Sequence, residues 1–120
     1  MVKRILVVED ERPMARALEL KFSHEGFEVK VAANGEEALA LVDTEPFDLI
    51  LLDLVMPKMN GFEVLKSLAE KGKPIPVIVL SNLSQAEDEA KVRALGAKGF
   101  FIKSNVPIAD IVAHVKRVLV

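Results

Sequence analysis

Several charged and polar residues stand where apolar runs of this chain stop. Glu9, Asp10 and Glu11 follow Ile5-Leu6-Val7-Val8, and Asp53 follows Leu49-Ile50-Leu51-Leu52. Ser81 and Asn82 follow Val77-Ile78-Val79-Leu80, and Lys103 follows Phe100-Phe101-Ile102. If Glu9, Asp10 and Asp53 converge, each carboxylate pair at about 4 Å repels by about 4 kcal/mol at an effective dielectric of about 20. Such a cluster calls for positive charge. Lys103 supplies one unit, and oxygen ligands beside an open position suit a hard divalent cation, Mg²⁺ better than Ca²⁺ where protein ligands are few and waters several. A carboxylate next to Mg²⁺, a lysine and a hydroxyl is a site for receiving a phosphoryl group, with Asp53 as the attacking nucleophile. The metal and Lys103 would offset charge on the phosphoryl oxygens, and Ser81 would donate a hydrogen bond to one of them.

For these residues to meet, the elements that carry them must end at one rim. Short apolar runs alternate with stretches of helical spacing, the pattern of repeated βα units and hence of a parallel sheet. Ile5 to Val8, Leu49 to Leu52 and Val77 to Leu80 are apolar without alternation, as expected of central strands covered on both faces. Glu28-Val29-Lys30-Val31 alternates, which places it at an edge, and Gly99-Phe100-Phe101-Ile102 makes a fifth strand. Pro13 suits the first turn of a helix carrying Met14, Leu18 and Phe22, which Gly26 closes. Asn34 with Glu37, Asn60 with Glu63, and Ser84 with Glu87 have capping-box spacing, and Gly72 and Gly96 end two of these helices. Pro107 opens the last helix, whose stripe is Ile108, Ile111, Val112, Val115, Val118 and Leu119. Right-handed crossovers then favour an α/β, flavodoxin-like, doubly wound five-stranded parallel sheet of order 2-1-3-4-5 with five helices, in which ligands bind beyond the carboxyl ends of the strands.

Composition narrows the function classes. The chain of 120 residues has no Cys, which removes disulfide scaffolds, cysteine zinc sites and thiol catalysis. A formal net charge of -2 without a Lys/Arg cluster predicts no direct nucleic-acid partner and no membrane partner. Apolar runs are far short of the roughly 20 residues that cross a bilayer, and the acids at Glu9 and Asp10 come too soon for a signal peptide. A single domain over 1–120 with a cytoplasmic location is the expectation. His24 and His114 have no partner at metal-ligand spacing and read as surface residues.

Alone, each rim residue has a bland reading: an acidic first turn, a strand-terminating Asp, a surface Lys, a Ser satisfying local backbone. Together the motifs resemble the receiver domain of two-component response regulators, chemotaxis regulators among them. They are Ile5-Leu6-Val7-Val8-Glu9-Asp10-Glu11, Asp53-Leu54-Val55-Met56-Pro57-Lys58-Met59-Asn60-Gly61, Val79-Leu80-Ser81 and Gly96-Ala97-Lys98-Gly99-Phe100-Phe101-Ile102-Lys103. The resemblance implies that Asp53 is the phosphoacceptor, that Asp10 ligates Mg²⁺ with Asp53 while Glu9 acts on the metal directly or through water, and that the Val55 carbonyl completes the protein ligands. It further implies that Ser81 and Lys103 hold the phosphoryl group and that Ser81 and Phe100 form the switch. The implied partner is a sensor histidine kinase or phosphotransfer protein. A homodimer or output partner would use the face of the fourth helix, fifth strand and fifth helix. The only catalysis expected is the chain's own aspartyl phosphorylation and dephosphorylation.

Two positions depart from the family pattern. Ser104 stands where a proline, often cis, usually follows the lysine; a cis non-proline bond costs about 2.5–4 kcal/mol, so a trans bond is expected. Asn82 is larger than the residue usual beside the phosphoacceptor. Two rivals remain. A non-phosphorylated receiver-like interaction module would keep the fold without the chemistry. A Mg²⁺-dependent phosphatase needs a further acid or base, but no Asp or Glu stands two residues after Asp53. Apolar Val55 there also predicts slow self-hydrolysis of the phosphorylated state.

Overall fold

The computed structural model describes residues 2–82 and 86–119. Its elements follow the order β1 (Arg4–Val8), α1 (Arg12–His24), β2 (Glu28–Ala32), α2 (Gly35–Thr44), β3 (Leu49–Leu52), α3 (Gly61–Glu70), β4 (Val77–Ser81), α4 (Ala86–Ala94), β5 (Gly99–Ile102) and α5 (Ile108–Val118). The strands form one parallel sheet in the order β2-β1-β3-β4-β5, as the sequence predicts. Alternation along each strand divides the core in two. Leu6, Val8, Ile50, Leu52, Val77 and Val79 pack with α2, α3 and Val92 of α4. Ile5, Val7, Leu49, Leu51, Ile78 and Leu80 pack with α1 and α5 on the other face. Continuous apolar runs are therefore required in the three middle strands, because both of their faces are dry. Glu28 and Lys30 of β2 are exposed, consistent with its edge position.

Helix starts follow the capping signals with two adjustments. Asn60 and Glu63 form a complete capping box. Asn34 Oδ1 accepts from the Glu37 amide at 3.0 Å, but the Glu37 carboxylate reaches one residue further back and accepts from the Ala33 amide at 3.2 Å. Pro107 is the N-cap of α5 rather than a residue of its first turn. The predicted cap at Ser84 lies outside the described residues. Gly26, Gly72 and Gly96 take positive φ just past helix ends, the left-handed termination that glycine permits without a Cβ penalty.

One expectation is corrected. His24 is exposed, but His114 is half-buried against β5. Its ring meets Phe101 edge to face at 5.2 Å, and its Nε2 is buried without a hydrogen-bond partner among the described residues. The cause is Gly99: a Cβ there would lie 2.8 Å from His114 Nε2, so the missing side chain opens the slot that the ring fills.

Candidate functional site

The carboxyl ends of β1, β3, β4 and β5 bring the predicted residues to one rim. Parallel pairing sets Val8 beside Leu52, so Glu9 and Asp53, one residue further on, emerge together. The Asp53 amide donates to the Val8 carbonyl at 3.0 Å and the Glu9 amide to the Ala32 carbonyl at 3.0 Å, which extends the ladder into the site. Glu9 and Asp53 are nearly wholly buried, whereas Asp10 is exposed. One carboxylate oxygen from each of the three lies within 4.8 Å of the other two. Three hard oxygen donors with one side open to solvent match what a small divalent cation requires. Val55 is exposed, with its amide donating to Asp53 Oδ1 at 3.3 Å.

Lys103 closes the site from β5. Its amide donates to the Ser81 carbonyl at 2.9 Å, which continues the β4–β5 pairing past Ile102 and fixes the lysine backbone beside the buried Ser81. Among the described residues all peptide bonds are trans, including the one to Ser104, and Lys103 nonetheless turns into the rim. Its ammonium lies 2.7 Å from Glu9 Oε1, 2.8 Å from Glu11 Oε1 and 3.1 Å from Asp53 Oδ2. Asn82 is exposed.

Electrostatics follow from burial. Desolvation pushes the Glu9 carboxyl up to about 7, aided by the Asp53 charge and opposed by hydrogen bonds from Lys103 and the Glu11 amide. For Lys103, burial works against the charge, but bonds to Glu11, Glu9 and Asp53 outweigh it and hold the ammonium above the ordinary lysine range. Glu11, bonded to Lys103, lies below the usual carboxylate range. The site is thus a negative cluster neutralised in part by one lysine.

The loop after β3 is held tightly under the site. A Cβ at Gly61 would collide with the Asp53 carbonyl oxygen and lie 2.8 Å from Leu54 Cα, so only glycine permits the start of α3 to approach the Asp53 backbone. Lys58 takes φ 67°, a left-handed conformation uncommon for a residue with a side chain. No sequence signal marked Lys58.

Phe100 and Phe101 point to opposite faces, as alternation predicts, and both are half-buried: Phe100 packs with the α2–α3–α4 side and Phe101 with the α1–α5 side. In the sequence Glu11 stands out only as part of an acidic run. Its pairing with Lys103, which lies 92 positions away, becomes visible only when β1 and β5 end at the same rim.

The fold and this cluster of acids and lysine define the class. Residues 5–116 match the response regulator receiver domain, and the chain belongs to that family. It is 36% identical over 119 residues to the alkaline phosphatase synthesis transcriptional regulatory protein PhoP of Bacillus subtilis, covering 99% of this chain and 49% of that protein. The chain spans about half the length of the curated relatives it matches. Among solved structures, the receiver domain of a Francisella response regulator superposes with a TM-score of 0.93 at 30% identity, covering 98% of this chain and 96% of that one. The response regulator TrrA of Thermotoga maritima, solved in complex with Mg²⁺-BeF, superposes with a TM-score of 0.87 at 33% identity, covering 98% of this chain and all of that one.

Proposed function

We propose that this receiver domain is a phosphorylation-dependent switch in which Asp53 takes a phosphoryl group from the phosphohistidine of a sensor kinase or phosphotransfer protein. The observation that carries the reading is the convergence of buried Asp53 and Glu9 and half-buried Lys103 with exposed Asp10 at one rim of the sheet. An Asp53 carboxylate oxygen attacks phosphorus, the P–N bond breaks as the P–O bond forms, and the imidazole nitrogen leaves with its electron pair and takes up a proton. Glu9, Asp10, Asp53 and the Val55 carbonyl are the groups that would hold Mg²⁺. When bound, the metal offsets charge on the phosphoryl oxygens. Lys103 neutralises a second part of that charge, and the Ser81 hydroxyl supplies a hydrogen bond.

Switching requires groups that contact the phosphoryl group differently in two states, and Ser81 and Lys103 lie at the ends of adjacent strands. Phe100, paired with Val79 in that sheet, is only half-buried and so has room to repack, changing the face of α4, β5 and α5 that an output partner or second copy would read. Titration with Mg²⁺ and beryllofluoride, followed by backbone amide NMR, tests this reading. Saturable shifts at Asp53, Ser81, Lys103 and the α4–β5–α5 face are expected. An unchanged spectrum would sink it and favour a receiver-like module that never carries phosphate.

A further inference from the structure

We propose that Glu11 is a positioning residue that holds the Lys103 ammonium back from the incoming phosphoryl group and thereby sets how readily Asp53 is phosphorylated; this rests on the reading of Asp53 and Lys103 given above. A lysine ammonium has three N–H donors. Three carboxylate oxygens surround this one, at 2.7 Å (Glu9), 2.8 Å (Glu11) and 3.1 Å (Asp53). A phosphoryl oxygen gains a bond to it only by displacing one of them.

The three partners are not equivalent. The side chains of Glu9 and Asp53 are 2% and 5% exposed and are fixed at strand ends, whereas that of Glu11 is 60% exposed. Glu11 also does not belong to the group of carboxylates that converge within 4.8 Å of one another. Among the described residues its carboxylate is paired with Lys103 alone. Its place in the chain supports this assignment. Glu11 is the N-cap of α1, where a side-chain acceptor commonly bonds an amide of the first turn, yet it makes no such cap and turns instead across the site to Lys103. Water replaces the ammonium at this exposed carboxylate with little loss, so Glu11 is the partner that yields. Until it does, it occupies one donor and adds a negative charge where an anionic phosphodonor must approach. Both effects slow phosphoryl transfer.

The test compares wild type, Glu11→Gln and Glu11→Asp across a series of acetyl phosphate concentrations with Mg²⁺, reading the phosphoryl adduct by intact-protein mass. Glu11→Gln is expected to react about two- to five-fold faster at low donor concentration, the range of a solvent-exposed ion pair, and Glu11→Asp to fall between the two. The difference should shrink as salt rises. Beryllofluoride affinity, read by NMR, should follow the same order. A substitution that merely loosened the fold would slow the reaction and would not give a salt-sensitive gain. If wild type is phosphorylated and Glu11→Gln is no faster, the assignment of Glu11 is overturned while Asp53 stands. If wild type itself takes no phosphoryl group, the reading of Asp53 falls and this proposal falls with it.

Discussion

Replacing Lys103 with Met removes the cation that faces two buried acids and keeps a similar side-chain volume. Glu9 and Asp53 are 3% and 4% exposed and would be left with like charges and no lysine. Removing one partner of a buried ion pair costs about 3–5 kcal/mol. Two features pull this case to the lower end. The site opens to solvent at Asp10 and Glu11, and Glu9, whose carboxyl is pushed up to about 7, can take up a proton and so remove its repulsion with Asp53. The expected loss is about 3 kcal/mol near pH 8 and roughly half that near pH 6, where Glu9 protonates readily. A domain of this size has about 5–15 kcal/mol of stability, so the variant should still fold. Urea unfolding at both pH values, with EDTA or with Mg²⁺, reads the effect. A ligand at about 100 times its Kd adds about 2.7 kcal/mol. Mg²⁺ should stabilise the variant more than wild type, because no ammonium competes for Glu9 and Asp53. A loss that is the same at both pH values and unaltered by Mg²⁺ would refute the electrostatic account of the site.

Gly61→Ala should cost about 1–3 kcal/mol through overpacking and, by pushing on the Asp53 and Leu54 backbone, slow adduct formation out of proportion to the stability lost; paired urea and mass measurements check both. In metal-free protein the sign of the Glu9 contribution is opposite to that of a salt-bridged acid. Its folded pKa, about 7, lies above the ordinary 4.5, so its stabilisation is complete below 4.5 and is lost as pH rises through 7. Melting temperatures in EDTA should therefore fall from about pH 5 to about pH 8, and Glu9→Gln should flatten that slope. Helix α4, with Val92 as its one buried residue among those described, is secured to α3 by Lys91 over the Phe62 ring at 4.3 Å. Its amides should exchange faster than those of α3 or α5, and Lys91→Met should speed them further by a few-fold, as expected for a partly exposed cation–π contact.

Much of the fold was legible because its signals are local. Three unbroken apolar runs, one alternating run and the helix caps fix which strands are central and which is at the edge, and the crossover rule then leaves few orders. The rim residues were legible for a related reason: a charge at the end of an apolar strand is conspicuous. What escaped depends on which residues meet across the chain. Glu11 gains its partner only because β1 and β5 end at the same level, and His114 is half-buried only because Gly99 lies beneath it on another element. Lys58 adopts positive φ in the loop that returns the chain to Gly61, and no local residue preference announces it. Ser104 shows the converse. With Ser104 after it, Lys103 still reaches the rim, because its own amide bonds the Ser81 carbonyl and places its backbone independently of the next peptide bond.

The central claim is that Asp53 accepts a phosphoryl group with the help of a divalent cation. Intact-protein mass after incubation with phosphoramidate and Mg²⁺, for wild type and Asp53→Asn and with an EDTA control, tests it most directly. The account predicts a single phosphoryl adduct on wild type that is absent from Asp53→Asn and absent in EDTA. An adduct that persists in Asp53→Asn, or no adduct on a folded wild-type chain, would contradict it.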